Sequence, residues 1–325
     1  MRKVAVICGG LSSEYAISLK SATTIITNFP LEYSCHRIIL NEQGWWLDEQ
    51  GKQTPVDLND FSVLQPDGTR LKFDLAVVYI HGYPGEDGKV QAYLDMQGIP
   101  YLNSNPLASE LSFDKWFCNQ FLKNFGIPVA DAVLYLTPDE HETDDVLSQT
   151  GLPCFVKPCD SGSSFGVTMV KEKSDFEPAL DYAFREGKTV VVERYLKGTE
   201  VTCGAFRSPD GIVTLPPTEI VAEGDYFDFA AKYEGKSQEI TPARINEQEL
   251  TMVQAFTEKI YATLRLRSLA RVDYIIVDGI PHLVEVNTTP GFSEASLVPQ
   301  QLACAGITIR SCFDRILRAE YPQWY

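Results

Sequence analysis

Asp273, Glu285 and Asn287 interrupt otherwise apolar runs in "RVDYIIVDGIPHLVEVNTTPGF", residues 271–292. A carboxylate taken out of water without a partner takes up a proton instead. Two acids and an amide on one apolar hairpin therefore ask for a shared counter-charge. Hard oxygen donors of this kind suit Mg2+, which takes one or two carboxylates and completes its shell with phosphate oxygens and water. Strand alternation points Leu283, Glu285 and Asn287 to one face, and Arg271 shares a face with Asp273. The alternative is an exposed strand carrying ordinary charges; the apolar neighbours favour the metal. A two-residue turn at Asp278-Gly279 pairs Val277 with Ile280 and sends Asp273 and Glu285 to opposite faces. A common metal site thus requires an odd-length connection or a bulge.

Lys157 ends the apolar run "CFVKP" and precedes "CDSGSSFG", residues 159–166. Small residues let backbone N–H groups close over phosphate oxygens while a lysine supplies charge. The glycine loop alone is a weak signal, and the neighbouring lysine makes it a candidate phosphate site. In "VVVERYLKGTE" an apolar strand delivers Glu193, then Tyr195-Leu196, then Glu200. These offer acceptors to an adenine amino group and to ribose hydroxyls. "EGKS" at 234–237 imitates the end of a P-loop, but Ala230 stands where the first glycine belongs. "GSSFG" imitates a hydrolase nucleophile elbow, but Pro158, Cys159 and Asp160 separate it from the strand and "VTMV" does not continue as a helix.

The elements that must hold these groups begin with "KVAVIC", a buried strand, followed by the helical spacing of "SEYAISLKSATTIITNF". "LAVVYIHG" and the helix "KVQAYLDMQG" repeat the alternation and predict a small α/β domain with a parallel sheet. "IPYLNSNPLA" marks a boundary near residue 103, and "SELSFDKWFCNQFLKNFG" reads as one helix after it. Further strands are expected in "GVTMV", "TVVVERYL" and "TEVTCGAF", and closing helices in "VPQQLACAG" and "IRSCFDRILRAEY". Residues 222–241 lack periodicity and are too long for a passive connection, so they read as a lid. At 325 residues the chain has room for two or three domains. A net charge of −16 argues against a nucleic-acid binder. No apolar run approaches the length of a bilayer span, and "MRKVAVIC" stops at Gly9-Gly10 without a cleavage-like region; a cytoplasmic protein with no membrane partner is expected. The eight cysteines form no CxxC pair and read as buried free thiols.

Phosphate loop, nucleoside strand and magnesium hairpin together resemble the ATP-grasp superfamily. More narrowly, "GGLSSEYAISLKS", "HGYPGEDGKVQ", "GIPYLNS", "SFDK", "VKPCDSGSSFGV", "ERYLKGTEVT", "FAAKY", "ARVDY" and "LVEVNTTPGFSEASLVP" resemble the D-alanine–D-alanine ligase family in order and from end to end. The resemblance implies an α/β chain, α+β overall, in three domains: an N-terminal parallel α/β domain (1–103), a small central α+β subdomain (104–193) and a C-terminal α+β subdomain with an antiparallel sheet (194–325). It implies that Glu14, with Ser163 and Tyr233, receives the ammonium of a first D-alanine, and that His81 lies near that substrate's carboxylate. Lys115, Lys157 and Lys232 would contact ATP phosphates, and Glu193, Tyr195, Leu196 and Glu200 would line the adenosine site. Asp273, Glu285 and Asn287 would bind two Mg2+ ions, with Mn2+ as a substitute. Ser296 and Leu297 would hold the second substrate's carboxylate at a helix start.

The implied reaction transfers the γ-phosphoryl group of ATP to the first carboxylate, and the amine of the second D-alanine attacks the acyl phosphate. Arg271 and the Gly291 N–H would stabilise the resulting oxyanion. The product would be the D-alanyl-D-alanine of peptidoglycan precursors, and the resemblance also implies a homodimer. Tyr15-Ala16, Ala230 and Tyr195 depart from the family's common residues, whereas Lys232-Tyr233 keeps the pattern of dipeptide-forming members. Other readings are a relative using D-lactate or D-serine, another ATP-grasp carboxylate–amine ligase, a nucleotide-binding regulator without turnover, or a serine hydrolase.

Overall fold

The computed structural model describes residues 1–162, 165–222 and 237–325 of the chain. Ser163, Ser164, Lys232, Tyr233 and residues 223–236 of the expected lid lie outside the described residues.

The first sheet contains β1 (Arg2–Gly9), β2 (Tyr33–Asn41), β3 (Gly44–Glu49), β4 (Lys52–Asp57), β5 (Ser62–Leu64), β6 (Arg70–Leu71), β7 (Leu75–Val78) and β8 (Tyr101–Leu102). Their order is β6-β5-β4-β3-β2-β1-β7-β8. The parallel sheet read from the sequence holds for β2, β1, β7 and β8. From β2 outward the pairing is antiparallel, because β2 to β6 are joined by short turns that cannot make a crossover. Helices α1 (Tyr15–Asn28) and α2 (Lys89–Gln97) connect the parallel strands.

The helix expected across residues 109–126 is two helices, α3 (Pro106–Phe113) and α4 (Lys115–Lys123). Asp114 between them has an extended backbone (ψ 108°), and its side chain accepts from the Phe117 N–H at 2.9 Å. An aspartate that caps the next helix terminates the previous one. Ala108, Cys118, Leu122 and Ile127 of this segment pack into the core of the third sheet.

The second sheet is antiparallel, in the order β11-β10-β12-β9: β9 (Ala132–Tyr135), β10 (Cys154–Pro158), β11 (Thr168–Val170) and β12 (Val190–Arg194). Helices α5 (Thr143–Thr150) and α6 (Phe176–Glu186) cover one face, where Val156, Val192, Phe176 and Leu180 form the core. Alternation leaves Phe155, Lys157 and Glu193 on the other face.

The third sheet, β16-β15-β13-β17-β18 with β14 beside β13, is antiparallel. It contains β13 (Thr199–Ser208), β14 (Gly211–Thr214), β15 (Thr218–Ala222), β16 (Ser237–Ile240), β17 (Leu269–Val277) and β18 (Ile280–Asn287). Glu193 and Glu200, read from one apolar stretch, therefore belong to different sheets, and Tyr195 and Leu196 bridge them. Helix α7 (Glu247–Thr263), opened by an Asn246/Glu249 capping box, packs on its core face with Val201, Val272, Tyr274 and Val286. Helices α8 (Leu297–Cys304) and α9 (Ile309–Glu320) follow. Val298, Leu302, Phe313 and Leu317 share a core with Val4, Val6, Ile25 and Val77, which joins the first and third sheets.

All eight cysteines are free, and six of them are buried. Among the described residues no helix is long and apolar enough to cross a membrane.

Candidate active site

The β17–β18 hairpin carries the register question raised by its sequence. Asp278 and Gly279 form a two-residue turn with positive φ at both positions (49° and 77°), and Val277 pairs with Ile280. Pairing runs regularly to Tyr274–Leu283, and then Asp273 pairs with Glu285, which leaves Val284 as an extra residue. That bulge puts both carboxylates on one face, with Arg271 paired to Asn287 beside them. It is pinned from outside the sheet: the Asn119 side chain of α4 donates to the Val284 carbonyl at 3.2 Å, and the Leu283 N–H donates to the Pro128 carbonyl at 2.8 Å. The expectation that Leu283 faces the same way as Glu285 and Asn287 is corrected. Leu283 is buried in the α7 core with Tyr274 and Val286, because the extra residue inverts the alternation between it and Glu285.

The Asp273 carboxylate is held by three neighbouring side chains. Arg271 donates to it twice, at 2.8 and 2.7 Å; Thr202 donates from its hydroxyl at 2.5 Å and Asn287 from its amide at 3.1 Å. Burial works against the charge on Arg271, but Asp273, Glu285 and Glu86 more than offset it and hold the guanidinium above its ordinary range. Among the described residues no three His, Cys, Asp or Glu side chains converge as a closed cage. The donor set is two carboxylates and one amide, open toward the cleft. It fits a hard cation that brings phosphate oxygens and water of its own, and not a metal caged by protein.

Two lysines point at the same space. Lys157 makes a 2.7 Å ion pair with Glu193 across β10 and β12, with only 7% and 9% of the two residues exposed. Lys115, at the start of α4, donates to the Ser161 carbonyl at 2.6 Å and lies 3.7 Å from Glu285. Lys115 thus touches both the glycine loop and the acidic hairpin. Phe155 lies two residues before Lys157 on the same strand face, and its ring centroid is 6.0 Å from that of Tyr195.

The first and third sheets close the cleft from the other side. Glu14 stands at the N-terminus of α1, and a Cβ on Gly162 would come within 3.1 Å of its Oε2, so the glycine loop approaches this acid closely. His81, 4% exposed, bonds Thr289 O through Nδ1 at 2.9 Å and Ser21 Oγ through Nε2 at 3.3 Å. Ser296 caps α8 without a side-chain cap bond, and its hydroxyl instead accepts from the Ser293 N–H at 3.0 Å. Glu86 accepts from the Gly82 N–H at 2.8 Å, and its carboxyl is pushed up to about 8 chiefly by burial and then by Glu14.

Every expected site residue that the structure describes borders this one cleft, of about 610 Å3. Its size is that of a small-molecule site. Sequence reasoning missed Phe155, Thr202, Glu86 and Ser21. Phe155 could have been found from its spacing to Lys157, and Glu86 from its place in "HGYPGEDG"; the two hydroxyl residues carry no pattern.

Two family models match the chain: "D-ala D-ala ligase N-terminus" over residues 3–104 and "D-ala D-ala ligase C-terminus" over residues 121–318. A D-alanine–D-alanine ligase from Porphyromonas gingivalis strain W83 is 46% identical over 321 residues, covering 97% of this chain and 96% of its own. Among solved structures, the VanG D-Ala:D-Ser ligase from Enterococcus faecalis matches with a TM-score of 0.88 and 29% identity, covering 98% of this chain and 99% of the other. The D-alanine–D-alanine ligase from Bacillus anthracis complexed with ATP matches with a TM-score of 0.79 and 29% identity, covering 99% and 98%.

Proposed function

The chain belongs to the D-alanine–D-alanine ligase family, and from that premise we propose how its residues divide the work of an ATP-dependent ligase with the ATP-grasp fold. It joins two D-alanines into D-alanyl-D-alanine for peptidoglycan precursors. The observation that carries this reading is the convergence, in one cleft, of the Asp273–Glu285 pair with the Lys157–Glu193 pair from a different sheet.

Glu193, Tyr195, Leu196 and Glu200 hold the adenosine, with Phe155 against the base. Lys115 and Lys157, with Lys232 from the undescribed segment, take the phosphate oxygens. Asp273, Glu285 and Asn287 hold Mg2+, with Mn2+ as a substitute, and the ions supply neutralisation of the triphosphate charge. Glu14, with Ser163 and Tyr233, orients the first D-alanine by its ammonium so that its carboxylate receives the γ-phosphoryl group. Ser296 and Leu297 hold the second D-alanine by its carboxylate at the start of α8, where free N–H groups favour an anion. Its amine attacks the acyl phosphate, Arg271 and the Gly291 N–H stabilise the oxyanion, and phosphate leaves. Acyl phosphates hydrolyse readily, so the segment around 222–241 serves as the lid that excludes water. The working protein is a cytoplasmic homodimer.

An ADP-release assay tests the reading. ATP breakdown requires both Mg2+ and D-alanine, and L-alanine does not replace D-alanine. ATP binding without D-alanine-dependent turnover overturns it. A second reading, D-serine as the second substrate, is favoured by the D-Ala:D-Ser ligase among the similar structures. Mass spectrometry of products formed from D-alanine mixed with D-serine or D-lactate decides between them, and the D-alanyl-D-alanine dipeptide is the expected product.

A further inference from the structure

The loop that follows Asn287 and carries Gly291 is hydrogen-bonded to residues of the N-terminal part of the chain. Tyr79 and His81 follow β7, Asn103 follows β8, and Ser21 lies on α1. The Tyr79 hydroxyl donates to the Pro290 carbonyl at 2.8 Å. The Asn103 amide donates to the Thr289 hydroxyl at 2.9 Å. His81 Nδ1 lies 2.9 Å from the Thr289 carbonyl, and the Phe292 N–H donates to Ser21 Oγ at 3.1 Å. The residues on both sides of Gly291 are thus anchored, and Ser21, Thr289 and Phe292 are at most 1% exposed.

The directions of these bonds are forced. A carbonyl only accepts, so His81 Nδ1 carries the proton and Nε2 of the neutral ring is an acceptor. The Ser21 hydroxyl donates to Nε2 at 3.3 Å while its oxygen accepts from Phe292. One serine therefore satisfies a buried ring nitrogen and a buried amide together. Burial, the largest influence, lowers the His81 imidazole, and Arg271 adds to that; Glu14 and the bond to Thr289 oppose it. The neutral ring that this circuit needs is the favoured form. With both nitrogens committed to protein partners, His81 has no N–H left for a substrate carboxylate.

We propose that Ser21 and His81 are positioning residues whose hydrogen-bond relay holds the Gly291 N–H in place for the second chemical step. This inference rests on the reading of Gly291 as an oxyanion donor. It assigns Ser21 a role and moves His81 from substrate contact to loop support.

The test compares the unsubstituted chain with Ser21→Ala, Ser21→Thr, His81→Asn and His81→Gln in the ADP-release assay. Ser21→Ala lowers kcat about tenfold to a hundredfold, the scale of a small misplacement of a catalytic group, with the KM for ATP unchanged. Ser21→Thr keeps the hydroxyl and recovers most of the loss. The amide of asparagine reaches the place of Nδ1 and that of glutamine the place of Nε2, so His81→Asn retains more activity than His81→Gln. A substrate contact through Nε2 gives the reverse order. Nitrogen-15 spectra of the four histidines, with His81 assigned by its loss in His81→Asn, provide a readout independent of turnover. His81 is in the Nδ1–H form in the parent and loses that preference in Ser21→Ala. A parental kcat in Ser21→Ala, an advantage of Gln over Asn, or an Nε2–H ring in the parent overturns the relay. A parent that fails to release ADP with D-alanine overturns the ligase reading itself, a distinct outcome because the unsubstituted chain is then inactive.

Discussion

Asp273 faces Glu285 across β17 and β18 because Val284 is one residue too many for a regular hairpin. The Asp278-Gly279 turn by itself would set Glu285 against Val272, on the core face, where a carboxylate without a partner is costly. The bulge moves every residue beyond it by one and turns two isolated acids into a pair. Asn119 and Pro128, from the segment that packs under the hairpin, fix that choice through the backbone of Val284 and Leu283.

Removing one acid should therefore remove the metal site. Glu285→Ala is expected to lose at least about a hundredfold in kcat, since metal stabilisation of charge in the transition state is worth several kcal/mol. Thermal stability should change less than activity, because Glu285 is only part-buried. Stripping the parent with a chelator should abolish ADP release, and added Mg2+ should restore it. Near-parental turnover in Glu285→Ala argues that this acid does not hold the ions.

The Lys157–Glu193 pair separates stability from binding. Breaking a buried pair by removing one partner costs about 3–5 kcal/mol, while removing both costs far less. Lys157→Ala should be destabilised by an amount in that range, and Lys157→Ala with Glu193→Ala should recover much of it. ATP affinity, measured by calorimetry, should fall in the single variant and stay low in the double one. Recovery of ATP binding in the double variant contradicts a phosphate role for Lys157.

Glu86 gives the fold a pH dependence whose sign is fixed. Its carboxyl is raised from 4.5 to about 8, chiefly by burial and next by Glu14 and Glu285, against the opposing Gly82 N–H and Arg271. A group that holds its proton more tightly when folded contributes stability that is complete below the unfolded value and is lost as pH rises through the folded one. Relative to Glu86→Gln, the parent should lose stability as pH rises from about 4.5 to about 8, as read by urea unfolding. A difference that does not change with pH contradicts the raised carboxyl.

Much of this was legible in the chain, for identifiable reasons. Charges inside runs of period two, as at Lys157, Asp273 and Glu285, marked strand faces that look into a cleft. The bulge was only a condition set by parity, since nothing distinguishes Val284 from the apolar residues around it. Asp114 was misread because the apolar spacing of "SELSFDKWF" continues through it, although an aspartate before a helical run is a cap signal. The antiparallel strands between residues 52 and 71 are short, and one contains Pro55, so no clean period announced them. Ser21 and Thr202 act through contacts with residues far away in sequence, which local pattern does not encode.

Choice of the second substrate is expected to follow Tyr233, which lies outside the described residues. Tyr233→Phe should alter the proportion of D-serine or D-lactate product, detected by mass spectrometry, more than it alters ATP affinity. An unchanged product profile counts against that assignment.

The most direct test is a crystal structure of the protein with Mg2+ and a non-hydrolysable ATP analogue. The account predicts magnesium about 2.0–2.1 Å from carboxylate oxygens of Asp273 and Glu285 and from the Asn287 amide oxygen, with phosphate oxygens completing the shell. Ions held elsewhere, or a triphosphate that never reaches this hairpin, would contradict it.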